Sequence, residues 1–300
     1  METTKVIIVT GSNSGFGRLT VETLARQGHI VFAGMRASAG RNATAAAELR
    51  ALARAEGLDL RVVDLDVTDD ASVEVAVREV VDTAGRLDVV VNNAGVAAIG
   101  PLEAFTADQA RQQFDTNVLG VVRVNRAALP QMRAQGSGLL LQVGSLVGRL
   151  ALPFTGLYAA SKFALEGLTE AYRAELAGLG IDAAIVEPGS YPTSIGNNGM
   201  QPTDAARLAP YAATFARFGA TVAAAAGMIP DAQEVADAIA HVIALPAGAR
   251  PLRTVLAGLH IAGQPEGVDA LNQASEHALA ATTDALGLAS SLAASAPALP

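Results

Sequence analysis

Tyr158 and Lys162 stand four residues apart in Tyr158-Ala159-Ala160-Ser161-Lys162, and the only other lysine of the chain is Lys5. With so few lysines, one placed at this distance from one of the four tyrosines is expected by chance about 0.03 times, so the position selects for an ammonium. An i to i+4 spacing puts both side chains on one face of a helix, where the cation can lie close to the phenol. A free phenol titrates near pH 10, and a neighbouring cation favours its ionised form, making tyrosine a usable general acid and base. Lysine suits this task better than arginine because a compact ammonium can also bind ribose hydroxyls at short radius. Upstream, Ser145 closes Val143-Gly144-Ser145 with a hydroxyl able to hydrogen-bond an oxygen that gains charge. Asn117, in Asp115-Thr116-Asn117-Val118-Leu119-Gly120, is an amide inside an apolar helical pattern, where burial demands a partner. The plain readings are a surface helical pair for Tyr158 and Lys162, and an ordinary turn for Ser145.

A glycine-rich turn supplies a second kind of chemistry. Gly11, Ser12, Asn13, Ser14, Gly15, Phe16 and Gly17 follow an apolar run and open a helical segment. The glycines allow a tight turn and bring backbone N–H groups to a pyrophosphate at a helix N-terminus, so this stretch is a candidate dinucleotide site. After the next apolar run comes Ala33-Gly34-Met35-Arg36, with no carboxylate to hold ribose hydroxyls. Arg36, helped by Arg41, offers a planar fork suited to a 2′-phosphate, which favours NADP(H) over NAD(H); the alternative is a solvated surface charge. Asp66 and Val67, in Asp64-Leu65-Asp66-Val67, and Asn93, Ala94 and Gly95, in Asn92-Asn93-Ala94-Gly95, form two further polar turns. A carboxylate there can accept from an adenine amino group, and small residues let the backbone approach a cofactor. Either could equally be an ordinary turn.

These residues share a position in the chain's rhythm. Runs rich in Val, Ile and Leu at 6–9, 30–33, 60–63, 89–91, 139–143, 183–186 and 254–257 read as strands buried on both faces. Helical segments lie between them, with reciprocal capping patterns at Thr106/Gln109 and Asp231/Glu234 and a helix start at Thr68 followed by two acids. Seven alternations predict an α/β fold, a doubly wound parallel sheet with helices on both faces, because right-handed crossovers place them there. Ligands gather at the carboxyl ends of such strands, which is where the candidate residues fall. Residues 190–230 break the rhythm and read as a substrate lid, against an extra helix pair that merely packs. A single domain is expected through residue 280, with an Ala/Ser-rich tail at 281–300.

Composition narrows the partners. A formal charge of -8 and a pI near 5.0 leave no basic stripe for nucleic acid or anionic membranes. The absence of cysteine excludes disulfides and thiolate metal sites, and no metal is expected. The apolar stretch at 6–9 is too short for a signal-peptide core, and no run approaches a membrane span, so a soluble, cytoplasmic protein is expected.

Taken together, TGSNSGFG at 10–17, NNAG at 92–95, Asn117, Ser145, YAASK at 158–162 and PGSYPT at 188–193 resemble the short-chain dehydrogenase/reductase family in its shorter branch, over about residues 5–260. The resemblance implies a Rossmann fold with Tyr158 as catalytic acid/base, Lys162 lowering its pKa and holding the nicotinamide ribose, and Ser145 orienting the carbonyl. It implies a proton relay through water completed by Asn117, and Pro188, Gly189 and Thr193 flanking the carboxamide. It further implies a homodimer or homotetramer built on the helices that carry Asn117 and Tyr158. Departures from the pattern are Ser14, where many NADP enzymes of this kind carry a base, and the chain after 260. The expected activity is NADP(H)-dependent interconversion of an aldehyde or ketone and an alcohol. The substrate is a small or medium apolar one lined by Leu146, Leu152, Phe154 and Tyr191. The alternatives are an NADP(H)-binding regulatory protein without turnover and, within the same fold, a nucleotide-sugar epimerase or dehydratase.

Overall fold

Runs of Val, Ile and Leu bury both faces of a strand only when helices cover the sheet on either side. A computed structural model describes residues 4–191, 193, 195, 199–224, 231–256, 258 and 264–285 and has that architecture. Its strands are β1 (Val6–Thr10), β2 (Ile30–Met35), β3 (Leu60–Asp64), β4 (Val89–Asn92), β5 (Gly138–Val143), β6 (Ile181–Pro188) and β7 (Arg253–Leu256). They form one sheet in the order β3-β2-β1-β4-β5-β6-β7, with every adjacent pair parallel. All seven expected runs are strands; the last residue of the seventh, Ala257, lies outside the described residues.

The helices are α1 (Gly15–Arg26), α2 (Ala43–Glu56), α3 (Asp70–Ala84), α4 (Ala107–Phe114), α5 (Gly120–Gln135), α6 (Gly156–Leu176), α7 (Ala205–Leu208), α8 (Ala212–Ala224), α9 (Gln233–Ala244) and α10 (Gln264–Ala285). Strand periodicity divides the core. Ile7 and Val9 face the layer built by Val21 and Leu24 of α1, Leu49 of α2 and Ile239 of α9. Val6 and Ile8 face Val77 of α3, Val124 and Met132 of α5, and Leu176 of α6. Each fully buried Leu, Ile or Val contributes roughly 1.5–3 kcal/mol relative to exposure, so these two layers hold the sheet edge on which the loops stand.

Helix starts show where local chemistry competes. Thr106 and Gln109 form the expected capping box at α4. At α3 the cap is Asp69, whose carboxylate accepts from the N–H groups of Ala71 and Ser72; Thr68, the expected start, instead donates its hydroxyl to Asp66. At α9 Asp231 accepts from Gln233, and the carboxylate of Glu234 is drawn away to the Tyr191 hydroxyl. Between α4 and α5, Asp115–Leu119 widens into a π-helical segment that contains Asn117. The interval expected to be a lid contains α7 and α8, with 192, 194, 196–198 and 225–230 outside the described residues. α10 runs across the expected boundary at 280, and 286–300 lie outside the described residues.

Candidate active site

The strand order reverses between β1 and β4, the switch point where parallel sheets of this kind form a ligand crevice, and the loops after these two strands floor it. The two loops are pinned to each other. The Thr10 hydroxyl accepts from the N–H groups of Asn93 (3.1 Å) and Ala94 (2.9 Å), and Asn93 Nδ2 donates to the carbonyls of Thr10 (2.8 Å) and Gly11 (3.2 Å). Asn93 is thus a brace between loops. Gly11 sits at φ +69°, and a Cβ at Gly17 would lie 2.4 Å from Asn93 Nδ2 and 2.5 Å from the Gly11 carbonyl oxygen, so the turn closes only with glycine there. Ser12 turns its hydroxyl inward to the Val9 carbonyl at 2.7 Å, and Ser14 is the N-cap of α1. Asn13, Gly15 and Phe16 complete the turn, with Gly15 facing Thr193 across the crevice.

The loops after β2 and β3 carry the residues expected at the far end of a nucleotide. The guanidinium groups of Arg36 and Arg41 are exposed, and neither makes an ion pair among the described residues. Both act on Asp66: burial draws its carboxyl upward, but two hydrogen bonds from Thr68 and the charges of Arg36 and Arg41 outweigh this and hold it below the usual carboxylate range. Ala37, in the left-handed region at φ 50°, follows Arg36, and the Asp64 carboxylate clasps this bend through the N–H groups of Ala37 and Ser38 and the Ser38 hydroxyl. Val67 is buried, and its carbonyl accepts from Arg123. A nucleotide fits this donor set: backbone donors and a helix N-terminus at one end, two unpaired guanidiniums beside a carboxylate at the other.

The residues expected to do acid/base chemistry meet at the opposite end of the crevice. α6 presents Tyr158 and Lys162 on one face, with Lys162 Nζ 5.6 Å from the centre of the Tyr158 ring. Lys162 is buried and donates to the Val143 carbonyl at 2.6 Å. Ser145, just past β5, lies within hydrogen-bonding reach of the Tyr158 hydroxyl and also donates to the Pro188 carbonyl at 3.2 Å. Pro188 ends β6, and the Gly189 N–H is held by the Leu256 carbonyl. Asn117 is buried with its amide fully engaged: Oδ1 accepts from the Val96 N–H, while Nδ2 donates to the Val96 carbonyl and to the Ser161 hydroxyl. Gly95 packs beside it.

The electrostatics depart from expectation. Burial pushes Tyr158 up to about 12, and the hydrogen bond with Ser145 offsets only part of that. Burial likewise draws Lys162 down to about 8, with Glu166 opposing the change. Desolvation in one low-dielectric place dominates both changes. A second departure concerns Tyr191. Expected on the substrate wall, it packs edge-on to Phe16 at 5.7 Å and donates to Glu234, behind the cofactor turn, because that contact buries its ring. Leu146 is buried below the site. Phe154, at φ 65°, carries the apolar wall, joined by Phe215 and Phe218 of α8 at 5.2 and 5.3 Å. An open groove of about 510 Å³ runs beside it, lined by Pro101, Leu102, Glu103, Phe154 and Tyr211.

Several residues have roles that the motifs do not announce. The Thr10 hydroxyl braces the loop after β4, Asp64 clasps the bend after Arg36, and the Ser161 hydroxyl accepts from Asn117. Glu166, Glu187 and Arg253 form a buried charged cluster behind Lys162. A signal existed for two of them: Glu166 continues the four-residue stripe from Tyr158 and Lys162, and Arg253 is a charge directly before an apolar run.

A seven-stranded parallel sheet with a glycine turn at its switch point and helices on both faces defines a Rossmann-type nucleotide-binding protein. The family model described as short chain dehydrogenase matches residues 5–203, and the chain belongs to that family. It is 35% identical over 195 residues to a 3-ketodihydrosphingosine reductase of Bacteroides thetaiotaomicron, covering 65% of this chain and 66% of that protein. The chain therefore spans just under two thirds of that relative's length. A crystal structure of a short-chain dehydrogenase from Streptomyces avermitilis is similar with a TM-score of 0.75 at 30% identity, over 95% of this chain and 98% of that one. A short chain dehydrogenase/reductase from Burkholderia phymatum, solved in complex with NAD, has a TM-score of 0.70 at 27% identity, over 84% and 88% of the two chains. Among the described residues no cluster fits a metal ion and no helix is long and apolar enough to cross a membrane.

Proposed function

We propose that the chain is an NADP(H)-dependent oxidoreductase that interconverts a carbonyl and an alcohol, with Tyr158 as general acid and base. The observation that carries this reading is the convergence of Tyr158, Lys162 and Ser145 from α6 and β5 at one end of a dinucleotide crevice. The nicotinamide supplies or accepts the hydride and, when oxidised, adds a positive charge beside the phenol. In reduction, Tyr158 Oη gives its proton to the carbonyl oxygen while the Ser145 hydroxyl stabilises the charge growing there. In oxidation, the same oxygen takes the alcohol proton back. Lys162 holds the nicotinamide ribose and favours the phenolate, and Pro188, Gly189 and Thr193 flank the carboxamide. Because the Asn117 amide is saturated, its share in a relay through water falls to its main-chain carbonyl. The nucleotide is held by the glycine turn, Asp66 and Val67, the loop of Asn93, Ala94 and Gly95, and Arg36 on the 2′-phosphate.

The substrate is an apolar aldehyde or ketone, bound against Phe154 and covered by α7 and α8. Support comes from the three phenylalanines and from a relative named as a reductase of a 3-keto sphingoid compound. Exposed Leu119 and Phe163, on the helices carrying Asn117 and Tyr158, are where a second copy of the chain would pack in a homodimer or homotetramer. The test is turnover of NADPH with a panel of apolar ketones and of NADP with secondary alcohols. Tyr158→Phe should lower kcat by about 10²–10⁴ with cofactor binding retained. Near-normal turnover by that variant would overturn the mechanism, and tight cofactor binding without turnover on any carbonyl would favour a regulatory protein.

A further inference from the structure

Behind the catalytic face of α6 lies a buried cluster that the chemistry above does not use. Glu166, one turn beyond Lys162, is 3% exposed, and Glu187, the penultimate residue of β6, is fully buried. Arg253 of β7 reaches both: its Nε lies 2.9 Å from Glu166 Oε2 and 3.7 Å from Glu187 Oε1. The same guanidinium pairs with Glu170 of α6 and, at 3.2 Å, with Glu276 of α10. α10 also sends Asn272, whose Nδ2 donates to Glu187 Oε2 at 2.6 Å. Arg149, beyond Ser145, donates to the Leu271 carbonyl of α10 and adds its charge to the cluster.

Two features of this cluster are unfinished. Glu166 Oε1 and Glu187 Oε1 are buried without a donor among the described residues, although the two carboxyl groups are within hydrogen-bonding reach of each other. Two acceptors facing each other away from water are costly unless a proton sits between them. The charges point the same way. Lys162, Arg149 and Arg253 face the four carboxyl groups of Glu166, Glu170, Glu187 and Glu276, so one retained proton brings the set to balance.

We propose that Glu166 is a positioning residue for the catalytic lysine. Its carboxylate, held anionic by Arg253 and by a proton carried on Glu187, is the countercharge that keeps the buried Lys162 ammonium protonated. Glu187 then donates to Glu166, Asn272 donates to Glu187, and α10 closes the cluster from outside. Burial pushes Glu187 up to about 8, in keeping with its holding the proton, while Glu166 is the group that opposes the downward pull on Lys162. The proposal rests on the catalytic role given to Lys162, but its first measurement needs no turnover.

With two lysines in the chain, [ε-13C]lysine labelling yields two resonances, and Lys5 serves as the reference. Glu166→Gln should lower the titration midpoint of Lys162 by about one pH unit, tenfold in proton affinity, and move the alkaline limb of the kcat/KM profile down with it. Glu187→Gln, whose amide still donates to Glu166, should leave the midpoint near that of the unaltered protein. An unchanged midpoint in Glu166→Gln overturns the proposal. If the midpoint moves but no carbonyl is turned over, the countercharge stands and the catalytic reading fails. Folding stability tests the proton independently of Glu166→Gln. A carboxyl whose folded pKa is raised lends stability in full below its ordinary value of 4.5 and loses it as pH rises towards about 8. Glu187→Gln should flatten that decline in urea unfolding, and a decline identical to that of the unaltered protein would place the proton elsewhere and overturn the proposal.

Discussion

Arg36 stands in solvent at the carboxyl end of β2, its backbone carbonyl held by Asn42 and the bend after it clasped by Asp64. A guanidinium presented this way, in no ion pair among the described residues, gives charge-assisted hydrogen bonds of about 1.5–3 kcal/mol to a phosphate. Arg36→Ala should therefore weaken NADPH about 10–100-fold and leave NADH within about threefold, read by fluorescence titration. Equal losses for both cofactors would remove Arg36 from the 2′-phosphate. Arg36 was legible in the sequence because a charge follows directly on an apolar run. The clasp by Asp64 was not, since the two residues are 26 or more positions apart in the chain and meet only through strand pairing.

At the scale of elements, the turn from β1 into α1 shows how little room a residue larger than glycine has there. A methyl group at Gly17 meets both the Asn93 amide and the Gly11 carbonyl, and backbone cannot yield as a flexible side chain does. Gly17→Ala should cost about 1–3 kcal/mol in urea unfolding and at least tenfold in NADPH affinity. Gly267→Ala, on the exposed face of α10, should bind cofactor normally and be neutral or slightly stabilising. Unchanged NADPH binding by Gly17→Ala would show that the turn can adapt. Strands and helices here were readable because periodicity and burial agree over several residues. Helix starts were less so: Thr68 and Asp69 are both good caps, and the competing hydroxyl bond to Asp66 decided between them.

For the whole molecule, Arg253 ties the far edge of the sheet to α6 and α10. Its side chain is 2% exposed and serves carboxyl groups from three elements, so its removal strands charge in the interior. Arg253→Ala should cost roughly 3–5 kcal/mol in urea unfolding, and it should loosen α10, seen as faster amide exchange over 264–285. A loss below about 1 kcal/mol would mean that the cluster is solvated and energetically idle.

The seven strands, the parallel sheet, the glycine turn and the tyrosine–lysine pair follow from local patterns: apolar periodicity, conformational freedom of glycine, and the spacing of a helical face. Tertiary structure alone decided the rest. It sent Tyr191 behind the cofactor turn, because packing against Phe16 buries its ring. It raised Tyr158 and lowered Lys162, because burial acts on each group through the surrounding protein, which no spacing of two residues specifies. And it gathered Glu166, Glu187, Arg253 and Asn272 behind the lysine, because parallel pairing brings β6 beside β7 and the last helix then docks across both.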